Sequence, residues 1–83
     1  MKVKVKYFAS VREAVGQGSE TVETSAADLA ALRRELIARG GAHAQALAPG
    51  KAVRIALDQV MSDDTALLAE GSEVAFFPPV TGG

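Results

Sequence analysis

The last two residues, Gly82-Gly83, carry the one group that this sequence sets apart for chemistry: an α-carboxylate with no side chain beside it. Ahead of them run Phe76-Phe77-Pro78-Pro79-Val80-Thr81. Proline keeps the residue before it extended, and Val and Thr favour the same conformation, so residues 78–83 are expected to leave the fold as a projecting strip. Six residues at about 3.3 Å each reach roughly 20 Å, enough to enter a neighbour's active site. Terminal glycines let the backbone pass a narrow channel. A Gly-Gly end alone is often only a frayed terminus. Joined to two prolines and an aromatic run, it reads as a presented tail.

Other chemistry is scarce. With no Cys there is no thiolate nucleophile, thiolate metal site or disulfide, and the single histidine, His43, follows Gly40-Gly41 and reads as an exposed loop residue. No glycine-rich loop is followed by Lys and Ser or Thr, and no zinc-ligand spacing occurs, so no cofactor or metal is expected on this chain. Asp63-Asp64 reads as a solvated turn rather than a cation site. A net charge of -1 and few aromatics argue against a nucleic-acid partner. No apolar run approaches the roughly 18–20 residues of a membrane span, and a cytoplasmic location is the expectation. Residues 1–54 hold all nine Lys and Arg against five acids, while residues 55–83 hold five acids and no base. That polarity suits docking to a protein with complementary patches.

The elements that must hold the tail can be read from periodicity. At 83 residues, 48% of them hydrophobic and 23% charged, the chain is expected to form one small soluble domain with one core. Met1 to Phe8 alternates, with Val3, Val5 and Tyr7 on one face and Lys2, Lys4, Lys6 and Phe8 on the other, the pattern of a half-buried strand. Ser10 with Glu13 resembles a capping box, and Gly16 marks the end of a short helix. Residues 19–24 read as a second strand, antiparallel to the first. Ser25 with Asp28 repeats the capping pattern, and Leu29, Leu32, Leu36 and Ile37 outline the main helix, stopped at Gly40-Gly41. A loop to about Lys51 follows, then a strand over 53–58, then an acidic stretch in which Leu67-Leu68 suggests a short helical turn plugging the core. The last strand, 72–77, stops at Pro78. The expected architecture is α+β: a mixed sheet with one main helix on one face, its first and last strands parallel neighbours, as in the ubiquitin-like β-grasp.

Apolar residues on the outward face are informative. If Val3, Val5 and Tyr7 point inward, Phe8 faces out; if Val74 and Phe76 point inward, Phe77 faces out with Ala75. Two outward phenylalanines on neighbouring strands make a small aromatic patch, which Met61 can extend and Arg12 can rim. One helix covers only one face of a sheet, so this patch is expected to meet another protein.

The run Val74 to Gly83 resembles the C-terminal signature of the small, sulfur-carrying subunits of molybdopterin synthase (MoaD type), and Phe8-Ala9-Ser10-Val11-Arg12-Glu13 resembles their N-terminal one. The likeness runs the length of the chain and is loose in the Gly40 to Lys51 loop. Asp58 departs from it, standing where the family more usually has Asn. The resemblance implies a β-grasp domain over 1–83 whose Gly83 is adenylated by an ATP-using, ubiquitin-activating-like enzyme. A sulfur donor protein would then convert it to a thiocarboxylate. It further implies docking to the large synthase subunit in an assembly of two small and two large subunits, with the catalytic residues on that partner. There the sulfur would pass to cyclic pyranopterin monophosphate to build the molybdopterin dithiolene. This chain would thus be a non-catalytic donor subunit. Phe8, Arg12, Met61, Phe77, Pro78, Pro79, Val80, Thr81 and Gly82 would bind partners. Sulfur carriage for thiamine or tRNA thiolation, and a ubiquitin-like modifier or interaction module, are the alternatives.

Overall fold

A computed structural model describes residues 1–79. The elements in chain order are β1 (Lys2–Tyr7), α1 (Ala9–Val15), β2 (Ser19–Glu23), α2 (Leu29–Ala38), α3 (Gly41–Leu47), β3 (Arg54–Leu57), β4 (Val60–Met61) and β5 (Glu73–Phe77). The strands form one mixed sheet in the order β2-β1-β5-β3-β4, in which only β1 and β5 run parallel. This is the expected β-grasp arrangement.

Alternation dictates the sheet's two faces. Val3, Val5 and Tyr7 of β1, Val22 of β2, Ile55 of β3 and Val74 and Phe76 of β5 are buried against Leu29, Leu32 and Leu36 of α2. Burying each such leucine contributes roughly 1.5–3 kcal/mol, so this three-residue stripe is what fixes α2 to the sheet. Tyr7 and Phe76, paired in register across β1 and β5, stack with ring centroids 6.0 Å apart. The two central strands therefore meet through aromatic contact as well as backbone hydrogen bonds.

Several local expectations need correction. Ser10 and Glu13 form no capping box: α1 begins at Ala9, its N-cap is Phe8, and no side chain caps it. The Phe8 amide donates to the Phe76 carbonyl at 3.0 Å, which carries the β1–β5 ladder right up to the helix. The chain turns at Ala9, with φ at 50°, and Ser10 already lies inside the helix. Gly16 does end α1, in the left-handed conformation that glycine adopts without penalty (φ 92°). For α2 the cap is Asp28 itself rather than Ser25, its Oδ1 accepting from the Ala31 amide at 2.8 Å.

Leu67-Leu68 form no helical turn. The Asp64 and Ala66 carbonyls accept from the Ala30 and Leu29 amides at 2.9 and 3.1 Å, so this segment satisfies first-turn donors of α2 instead of its own backbone. Leu68 packs against the core while Leu67 is 74% exposed.

The expected loop after Gly40 contains α3, which adds Ala46 and Leu47 to the core. Gly40, at φ 76°, separates the two helices. A two-residue strand, β4, also appears, reached through Asp58 and Gln59 at φ 50° and 68°. Two successive left-handed residues make the tight turn whose twist suits a hairpin. Asp58 further accepts from the Glu73 amide through Oδ1 at 2.9 Å, so the carboxylate ties this turn to the start of β5.

Candidate docking face and the clamp behind it

The outward face of the sheet is built by register. Lys6, Ala75, Ala56 and Met61 form one row across β1, β5, β3 and β4. Phe77 pairs with Arg54 in the next row, and Phe8 extends β1 beside Phe77. Phe8 is 47% exposed and Met61 57%, Phe77 is half-buried, and Ala56 is buried although it lies outside the main core cluster. Together they make an apolar surface without a helix over it. A Lys6–Glu73 ion pair at 3.3 Å bounds it toward the start of β5.

Thus Phe8, Phe77 and Met61 share one face. Arg12 is placed differently: its side chain lies along Gly18, close enough that a Cβ there would meet Nε at 3.3 Å. Pro78 and Pro79 are half-buried where the chain leaves β5. Val80, Thr81, Gly82 and Gly83 lie outside the described residues.

On the inward face, periodicity alone misses a polar clamp. Glu20 occupies an inward position of β2, two residues from buried Val22. Its carboxylate accepts from the Tyr7 hydroxyl at 2.8 Å and from the Arg39 guanidinium at 2.7 Å, and it contacts His43 Nε2 at 2.8 Å. His43 belongs to α3, its side chain only 15% exposed and its ring edge-on to Tyr7, so the expectation of an exposed loop residue is wrong. The available signal was an acid at an inward strand position, which needs a partner.

Burial alone would raise the Glu20 pKa, but hydrogen bonds from Arg39, His43 and Tyr7 outweigh it and hold the group down at about 2. Burial, reinforced by the adjacent Glu20 carboxylate, pushes the Tyr7 phenol well above its usual range. At neutral pH the first stays ionised and the second neutral, so the pair joins β1, β2, α2 and α3 rather than exchanging protons.

Among the described residues, no group of three or more His, Asp or Glu is arranged to hold a metal ion, and no helix is long and apolar enough to cross a membrane. What the described residues assemble is an apolar sheet face, bordered where Phe77 passes into the half-buried Pro78 and Pro79.

Comparison with known proteins agrees with this geometry. Residues 5–83 match the model of the ThiS family. The molybdopterin synthase sulfur carrier subunit of Escherichia coli (strain K12) is 42% identical over 98% of this chain and 99% of its own. A solved structure from Pyrococcus furiosus, described as a putative molybdopterin converting factor subunit 1, superposes with a TM-score of 0.80 at 31% identity, covering 96% of this chain and 99% of its own. A chain from a complex of subunits 1 and 2 of the molybdopterin-converting factor of Helicobacter pylori 26695 gives 0.70 at 26% identity over the whole of both chains. The protein therefore belongs to the ThiS family, with the ubiquitin-like β-grasp fold and the sequence relatedness of a MoaD-type small subunit.

Proposed function

We propose that this chain is the sulfur carrier subunit of molybdopterin synthase and that it works through the carboxylate of Gly83. The observation that carries this reading is the full-length relatedness to proteins of that name, joined to an apolar face ending at the root of a Gly-Gly tail. An activating enzyme transfers AMP from ATP to the carboxylate, releasing pyrophosphate. The mixed anhydride is a good acyl donor. A donor protein delivering sulfur at the sulfide level displaces AMP and leaves a thiocarboxylate. In the synthase the thiocarboxylate sulfur forms a C–S bond at a carbon of cyclic pyranopterin monophosphate as that carbon's C–O bond breaks and the oxygen leaves with a proton; water then hydrolyses the acyl–sulfur bond and restores the carboxylate. Two such deliveries complete the dithiolene.

In this account ATP is used by the activating enzyme, and the large subunit supplies the catalytic residues, in a cytoplasmic assembly of two small and two large chains. Phe8, Met61 and Phe77 dock the partner, and residues 78–82 lead Gly83 into its active site. Arg12 joins the docking contact from the Gly18 side. The absence of Cys fits, because sulfur travels on the main chain.

Removing Gly83 tests the reading. Sulfur transfer is expected to vanish while the melting temperature stays unchanged. Retained transfer, or a large loss of stability, overturns it.

A further inference from the structure

Phe77 and Pro78 border two different surfaces, and the proposed docking patch accounts only for the outward one. Phe77 faces outward, whereas Pro78, the next residue, lines a groove of about 180 Å³ on the helix side of the sheet. Its apolar walls come from Val11 and Ala14 of α1, Ala46 of α3, and Val53 just before β3. Its rim carries Ser10, Gln45 and Lys51, and none of the residues lining it is acidic. Lys51 makes no ion pair among the described residues.

The groove is fixed in advance. Arg33 of α2 donates to the carbonyls of Leu47, Ala48 and Lys51 at 2.8, 3.0 and 3.4 Å, holding the segment that presents Lys51. The other end of α3 is pinned by the contact of His43 with Glu20. A wall tied at both ends needs little ordering when something binds to it.

We propose that this groove is a second docking site for the large synthase subunit, taking an aliphatic side chain of that partner with a carboxylate beside it for Lys51. The inference rests on the sulfur-carrier reading above. Its logic is continuity: a protein that encloses the chain after Pro79 must close around the point of exit, where Phe8 and Phe77 lie on one side and the groove on the other. An apolar slot with a single cationic rim selects an apolar group flanked by an acid.

The test is calorimetric titration of full-length variants with the purified large subunit. Lys51→Glu is expected to weaken binding about tenfold and Lys51→Arg to stay within about twofold of wild type. Ala14→Phe, which fills the groove from an exposed helix position, is expected to weaken binding about tenfold or more. Wild-type affinity is expected to fall with added salt more steeply than that of Lys51→Glu. Wild-type binding by both Lys51→Glu and Ala14→Phe overturns the groove as a docking site. Should Ala14→Phe not fold, equal affinity and equal salt dependence of Lys51→Glu and wild type overturns it. Phe77→Ala in parallel separates the two surfaces: its loss of affinity beside unaffected groove variants rejects the groove alone, and the converse pattern supports the groove and rejects the aromatic patch.

Discussion

Replacing Glu20 by Gln keeps the shape of the side chain and removes its charge, which isolates the worth of the inward clamp. The carboxylate receives three close side-chain contacts, from Tyr7, Arg39 and His43 at 2.7–2.8 Å. The Arg39 side chain is 41% exposed, so that pair is screened by water and contributes at most a few tenths to about 1 kcal/mol. The contacts to Tyr7 and His43 are more sheltered. A charge-assisted bond exceeds a neutral one by about 1 kcal/mol, and one amide cannot serve every partner at once. The expected cost is about 2 kcal/mol at pH 7, or a fall in melting temperature of roughly 8–16 °C for a domain of this size.

The pH dependence of that cost is a sharper test. Glu20 titrates at about 2 in the fold against an ordinary value of 4.5, so the folded state binds fewer protons. Its contribution is complete above the ordinary value and is lost as pH falls from about 4.5 toward about 2. Urea unfolding of wild type and Glu20→Gln at a series of pH values from 7 to 3 should show the two converging. A difference below roughly 0.5 kcal/mol at pH 7, or one that does not change between pH 6 and 3, refutes the clamp as described.

Other outcomes follow from single features. Tyr7, the only tyrosine, has its phenol pushed up in the fold, so its contribution is complete below its ordinary value of 10.0 and falls as pH rises past it; Tyr7→Phe should remove that part of the alkaline loss, as read by urea unfolding from pH 9 to 11. Phe77→Ala should cost about 1 kcal/mol of stability, a fall in melting temperature of roughly 4–8 °C that leaves the domain folded, and weaken large-subunit binding by about 2 kcal/mol, roughly 30-fold, in a titration. Ala9 holds a left-handed backbone at φ 50°, so Ala9→Gly should stabilise the domain by about 0.5–1 kcal/mol in chemical denaturation, whereas a destabilised variant would mean that the methyl group is needed there.

The readable parts of the sequence were those where periodicity and burial coincide. In β1 the alternation of Val3, Val5 and Tyr7 with lysines, and in α2 the spacing of Leu29, Leu32 and Leu36, determine which face is buried. The outward position of Phe8 and Phe77 follows from the same alternation. What escaped was set by tertiary contact. Helix α3 is seven residues long, shorter than two full turns, and its place depends on Arg33 holding carbonyls fourteen and more residues away and on Glu20 meeting His43. The helix caps depend on tertiary contact in the same way. Phe8 is drawn into the ladder by Phe76, and the first turn of α2 is met by carbonyls of the 64–66 segment. No local pattern announces either.

Sulfur carriage by this chain comes down to one carbonyl carbon, that of Gly83, and weighing the terminal peptide reads its state. The chain is to be incubated with its activating enzyme, ATP and a sulfur donor, then digested and weighed. The expected product is a C-terminal peptide in which one oxygen of Gly83 has been replaced by sulfur, formed only when ATP is present. An unmodified terminus, or Gly83 joined to a lysine, would contradict it.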